Sequence, residues 1–203
     1  MKTNFKLAIA ALTIILFAFQ ASAQNNIPQV DAGVTLQYRS ETPDGQEIKF
    51  PIDIVQNDDD GMVMNYTVIM GPNSIGGQFR VTCEGIEKGE KMNWGDLNPG
   101  EKRQLAKNET IFMFSQKFLD EIKANKSAEY DGRTYKLAQM PAGTEVSFGD
   151  KAVPSIYVEA ADGGPKFWIM DNKKYPLILN STGNDRGPNF TLANITVTLP
   201  KGE

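Results

Sequence analysis

The stretch that decides the fold runs from residue 34 to residue 70, VTLQYRSETPDGQEIKFPIDIVQNDDDGMVMNYTVIM. It alternates with a period of two. Val34, Leu36 and Tyr38 share one side of the first segment, Ile48, Phe50, Ile52 and Ile54 one side of the second, and Met62, Met64, Tyr66, Val68 and Met70 one side of the third. Side chains of an extended strand point alternately to opposite faces, so this spacing predicts three half-buried strands. Thr42-Pro43-Asp44-Gly45 and Asn57-Asp58-Asp59-Asp60-Gly61 separate them with turn chemistry, and Pro51 hints at an edge or a bulge. The segment reads as a β-meander.

Working outward, Gly71-Pro72-Asn73-Ser74-Ile75-Gly76-Gly77 breaks the pattern, and Gln78–Cys83 resumes it as a strand. Glu84–Arg103 is rich in Gly, Lys and Glu and reads mostly as loop. Glu109–Phe114 reads as an apolar strand. Ser115 then caps a short helix around residues 115–126, where Phe118, Leu119 and Ile122 fall on one face. Strands follow at Thr134–Leu137, Glu145–Phe148, Ser155–Ala160, Lys166–Met170, Tyr175–Asn180 and Phe190–Leu199, with turns at Asp131-Gly132, Asp162-Gly163-Gly164-Pro165 and Asp171–Lys174. Ten or eleven short strands and one helix predict a mainly β fold, an antiparallel sandwich or a partly closed barrel. Residues 24–203 form one β-rich domain in this reading, with Glu84–Arg103 as the candidate internal boundary.

The N-terminus carries a different signal. Lys2 and Lys6 precede an apolar run from Leu7 to Phe19, broken only by Thr13, and Ala21-Ser22-Ala23 follows. A basic start, a short apolar run and a small-x-small site form a secretory signal, read as residues 1–23 and cleaved before Gln24. The run is shorter than the roughly 20 residues that span a bilayer, and no later segment is apolar enough to do so. The expected location is exported, periplasmic or extracellular.

Composition narrows the chemistry. Removing 23 of the 203 residues leaves 180, and losing Lys2 and Lys6 takes the formal charge from −4 to −6. An acidic chain whose basic residues come at most in pairs, Lys102-Arg103 and Lys173-Lys174, is poorly suited to nucleic acid. Histidine is absent, which removes Ser-His-Asp and Cys-His catalysis and His-based zinc sites from this chain. No cofactor is indicated. Asp58-Asp59-Asp60-Gly61 lacks the alternating ligands and distal Glu of an EF-hand and reads as a polar hairpin tip. The carboxylates of Asp44, Asp131 and Asp162 sit at turns, and a hydrolase using carboxylates alone is the least favoured function. Cys83, the one cysteine, reads as a small core residue at the end of a strand, with a reactive thiol or an intermolecular bridge as the alternative. The six Asn-x-Ser/Thr matches, at Asn65, Asn108, Asn125, Asn180, Asn189 and Asn194, read as chance in an Asn/Thr-rich chain.

Two stretches, Ile111-Phe112-Met113-Phe114 and Phe167-Trp168-Ile169-Met170, place large apolar residues on both faces of a strand. Such strands lie at the centre of a sandwich or in the wall of an apolar cavity. Phe112, Phe114, Trp168 and Met170 are therefore the candidate ligand-binding residues.

The order of these segments resembles the TapB-like exported bacterial β-rich proteins of unknown function. The resemblance rests on Val34–Tyr38, Pro43-Asp44-Gly45, the central strand-helix element, Phe167–Met170 and Tyr175-Pro176-Leu177-Ile178-Leu179, and covers most of the mature chain; Glu84–Arg103 departs from it. It implies a β-rich envelope protein shaped like a half-barrel and carries over no functional residues. The function expected is non-enzymatic binding of a hydrophobic or amphiphilic small molecule or an envelope protein. The alternative is a structural or protein-interaction module that presents a sheet edge.

Overall fold

Residues 30–94 and 98–197 are described by a computed structural model; the export signal assigned to residues 1–23 and the end of the last strand at Leu199 lie outside them. The predicted meander is present as β1 (Val34–Glu41), β2 (Glu47–Asp58) and β3 (Gly61–Met70), joined antiparallel. Its apolar alternation sets the register: Leu36 faces Ile52, which faces Tyr66, and Ile54 faces Met64. Gly45 closes the first turn at φ +84°, with its N–H donated to the Thr42 carbonyl at 2.9 Å.

The glycine-rich stretch does not interrupt the sheet as its composition suggests. Only Gly71 and Pro72 turn, and β4 (Asn73–Val81) runs straight through Gly76 and Gly77. Gly77 faces Tyr66 across the ladder, and a Cβ on it would collide with the Tyr66 ring and lie 2.7 Å from the Glu101 carbonyl. Here glycine marks a close approach rather than a strand end.

Cys83 likewise departs from its expected place. The strand ends at Val81, and Cys83 opens a second helix, α1 (Cys83–Lys88), whose N-cap Thr82 accepts the Gly85 N–H at 3.0 Å. The thiol is only partly buried and donates to the Asp59 carbonyl at 3.0 Å. Desolvation and the nearby acids Glu87, Asp59, Asp58 and Asp60 push its pKa up, away from the reactive thiolate. The segment read as loop, Glu84–Arg103, thus carries α1, then β5 (Lys91–Met92) and the start of β6 (Lys102–Gln104), which adds to β4 in parallel.

A third correction concerns Glu109–Phe114. Only β7 (Glu109–Thr110) is a strand, parallel to β5. Phe112 then takes φ +59°, and Met113 makes a single bridge to Leu177. In a regular strand Phe112 and Phe114 would share a face. The left-handed residue breaks the period and sends them into different cores. The predicted helix follows as α2 (Gln116–Asn125), capped by Ser115 and ended by Lys126 at φ +61°, with Phe118, Leu119 and Ile122 buried.

The remaining strands are β8 (Ser127–Tyr130), β9 (Arg133–Ala138), the small pair β10 (Ser147–Phe148) and β11 (Lys151–Ala152), β12 (Ser155–Ala160), β13 (Lys166–Met170), β14 (Ile178–Thr182) and β15 (Thr191–Val197). The chain is mainly β. Eleven strands form one sheet in the order β6-β4-β3-β2-β1-β15-β14-β13-β12-β9-β8, antiparallel except at β4–β6, and its two edge strands do not meet to close a barrel. One face of both halves packs on a common first core, in which Leu36, Ile52, Met64 and Phe79 share a cluster with Tyr157, Trp168, Met170 and Leu179. This is a sandwich-like arrangement. The second core lies on the opposite face of β9 and β12–β14, where Tyr135, Val158, Phe167 and Ile169 meet Phe118 and Ile122 of α2. β13 is therefore apolar on both faces because both are covered. The outer face of β1–β4 stays polar, with Thr35 bonded to Asp53 and Gln78 to Asn65. Among the described residues no helix is long and apolar enough to cross a membrane.

Candidate functional site

Beside the first core the structure leaves an apolar slot of about 90 Å³, lined by Phe50, Met92, Asn93, Trp94, Ile111, Phe112, Pro188 and Phe190. Four separate stretches of chain converge there. β2 supplies Phe50 through its inward alternation. The turn after β5 supplies Asn93 and Trp94, the irregular segment after β7 supplies Ile111 and Phe112, and the β14–β15 connection supplies Pro188 and Phe190.

The rings brace one another. Phe112 stacks on Tyr38 at 5.3 Å and meets the edge of Phe190, also at 5.3 Å. Phe190 stands perpendicular to Phe50 at 5.9 Å, and Trp94 lies parallel to Phe190 at 6.4 Å. The Phe112 backbone is held as well: its carbonyl accepts the Ile178 N–H at 2.9 Å. The buried Tyr38 hydroxyl donates to the Ile178 carbonyl at 2.7 Å and lies 3.4 Å from that of Phe112. Complete burial pushes the Tyr38 phenol far above its usual pKa, so it acts as a neutral donor.

A strap of residues 184–190 forms one wall. Arg133 grips Asp185 through two bonds of 2.9 and 2.8 Å and pairs with Asp162 at 3.0 Å. Its hydrogen bond holds the Asp185 carboxyl below the usual range. Arg186 pairs with Asp131 at 2.8 Å, and Asp131 accepts the Trp94 indole N–H at 3.1 Å. Gly187 lies flat against the indole, where a Cβ would come within 2.8 Å of the ring. These contacts fix the indole and the strap relative to each other.

A larger groove of about 970 Å³ with a mixed polar and apolar lining adjoins the strap, between the β1–β2 hairpin and the β14–β15 connection; Pro188 lines both it and the slot. A separate cleft holds Glu90, Glu121, Glu129 and Asp131 with Lys91 and Lys117. There the Lys117 ammonium, 2.7 Å away, holds the Glu90 carboxyl below its usual range, the opposite of what a general acid needs. Among the described residues no group of three or more acids or thiols is placed to hold a metal.

The four residues singled out from the sequence do not gather in one site: Phe112, Trp168 and Met170 share the first core, and only Phe112 reaches the slot. Phe112 lines the slot. Phe114 lies in the second core, stacked on Phe118 at 4.4 Å. Trp168 and Met170 are buried in the first core, with the Trp168 indole donating to Thr144 at 3.0 Å and packing on Tyr157 at 4.6 Å. Neither reaches the slot lining. Sequence pattern does not mark Phe50, Met92, Trp94, Ile111, Pro188 and Phe190 as site residues: Phe50 and Phe190 read as ordinary strand residues, and Trp94 falls in a segment that reads as loop.

Comparison with protein-family models, with curated proteins and with solved structures found no match for the chain.

Proposed function

We propose that this is an exported, non-enzymatic β-protein that binds a hydrophobic or amphiphilic ligand by its apolar end. The observation that carries the reading is the aromatic slot between Phe50, Trp94, Phe112 and Phe190. Ligand sites are concave, mostly apolar and largely pre-formed, and here ring-on-ring packing and a clamped strap supply the pre-formed wall. At about 90 Å³ the slot is smaller than the ~150 Å³ apolar cavity that takes benzene. It suits an alkyl end or a branched aliphatic tip. The signal at residues 1–23 and the TapB-like order of segments support an envelope setting.

Native mass spectrometry of the mature protein purified from its own envelope tests this. The expected result is a discrete added mass, lost on organic extraction and absent from Ile111→Phe, which fills the slot. Each protein appearing only at its own bare polypeptide mass would contradict the reading.

A further inference from the structure

We propose that the ligand is an amphiphile with a neutral, hydroxyl-rich head of the sugar or polyol kind, its alkyl end in the slot and its head in the groove. This rests on the slot reading above and adds the head.

The two spaces share a rim. Pro188 lines both, Phe50 and Ile48 are alternate residues of β2, and Phe190 of the slot adjoins Asn189 and Thr191 of the groove. Phe190 also donates its N–H to the Ser181 hydroxyl at 2.7 Å, while the Ser181 N–H donates to the Phe190 carbonyl at 2.8 Å. A chain leaving the slot over this rim enters a groove in which seven of the fourteen lining residues carry a hydroxyl or an amide.

Charge selects against an acidic head. The charged residues of the groove are Arg39, Glu41 and Glu47, and Glu47 pairs both with Arg39 at 3.6 Å and with Lys49 beside the groove at 3.5 Å. Both cations are already engaged by Glu47 and Glu41 lies alongside, so an acidic head finds no surplus positive charge to meet it. The amides favour a neutral oxygen-rich head. Asn180 spends its side-chain oxygen on the Thr191 hydroxyl at 3.0 Å, and Asn189 spends its own on the Asn184 N–H at 3.0 Å. Their NH2 groups are left to donate to hydroxyl oxygens in the groove.

The test is isothermal titration of the mature protein with octyl glucoside below its micelle concentration, with octanol and with octanoate. Octyl glucoside is expected to bind about tenfold more tightly than octanol, the worth of one to two net hydrogen bonds, and octanoate more weakly than either. Asn180→Asp keeps the oxygen that serves Thr191 but replaces the NH2 donor, and should weaken glucoside binding several-fold with octanol unchanged, Asn189 keeping its own NH2. Equal binding of glucoside and octanol to the native chain overturns the head assignment and leaves the slot reading standing. Tightest binding of octanoate also overturns the head assignment. No binding of any probe removes the slot reading and this inference together.

Discussion

The backbone at Phe112 makes a prediction whose sign is unusual. Replacing Phe112 with alanine or glycine removes the same buried ring, at about 3–5 kcal/mol in either case. The two variants then differ only in the backbone. At an ordinary position glycine is about 0.5–1 kcal/mol worse than alanine, because it has more freedom to lose on folding. At φ +59° the alanine Cβ costs about 1–2 kcal/mol that glycine avoids. The difference favours glycine by up to about 1.5 kcal/mol. Urea unfolding of Phe112→Ala and Phe112→Gly, followed by tryptophan fluorescence, measures it directly. Both should lie well below the parent, with glycine the more stable of the pair. Alanine ahead of glycine by 0.5 kcal/mol or more would mean that residue 112 is not left-handed, and the account of why Phe112 and Phe114 part company would fail.

Three further outcomes follow from the same contacts. Gly77→Ala drives a methyl group into the Tyr66 ring and the Glu101 carbonyl, and should cost about 1–3 kcal/mol in chemical denaturation, as over-packing does. Tyr38→Phe leaves the Ile178 carbonyl without its 2.7 Å phenol donor, and should cost about 1–2 kcal/mol with no change in far-UV circular dichroism. Burial raises Tyr135 to about 12, so stability from this group is intact below pH ~10, where the unfolded phenol ionises. It is lost as pH rises towards 12, and Tyr135→Phe should flatten that alkaline decline in a thermal melt series.

Much of the fold was written in short-range pattern. Period-two alternation with turn residues located β1, β2 and β3, and Ser115 with Phe118, Leu119 and Ile122 located α2. Three features escaped, each for its own physical reason. Gly77 is explained by a tyrosine eleven positions earlier on the neighbouring strand, not by its own surroundings. α1 is six residues long and its cap at Thr82 follows directly on a strand, so the strand pattern masked it. Phe112 is apolar and flanked by apolar residues, which gives no local hint of φ > 0 in a residue type that seldom adopts it. The site was less legible than the fold. Two-faced apolar stretches pointed to Phe112, yet the same pattern in Phe167–Met170 marks a strand covered on both sides. The slot needs Phe50, Trp94 and Phe190, whose convergence depends on the sheet order that brings β15 beside β1.

The most direct test of the central claim is methyl NMR of residues 24–203, labelled at their methionine and isoleucine methyl groups, during titration with octyl glucoside. The account predicts saturable shifts at Met92 and Ile111, which line the slot, while Met62, Met170 and Ile52, sealed in the first core, stay in place. Saturable shifts at those core methyls with Met92 and Ile111 unmoved, or no saturable shift anywhere, would contradict it.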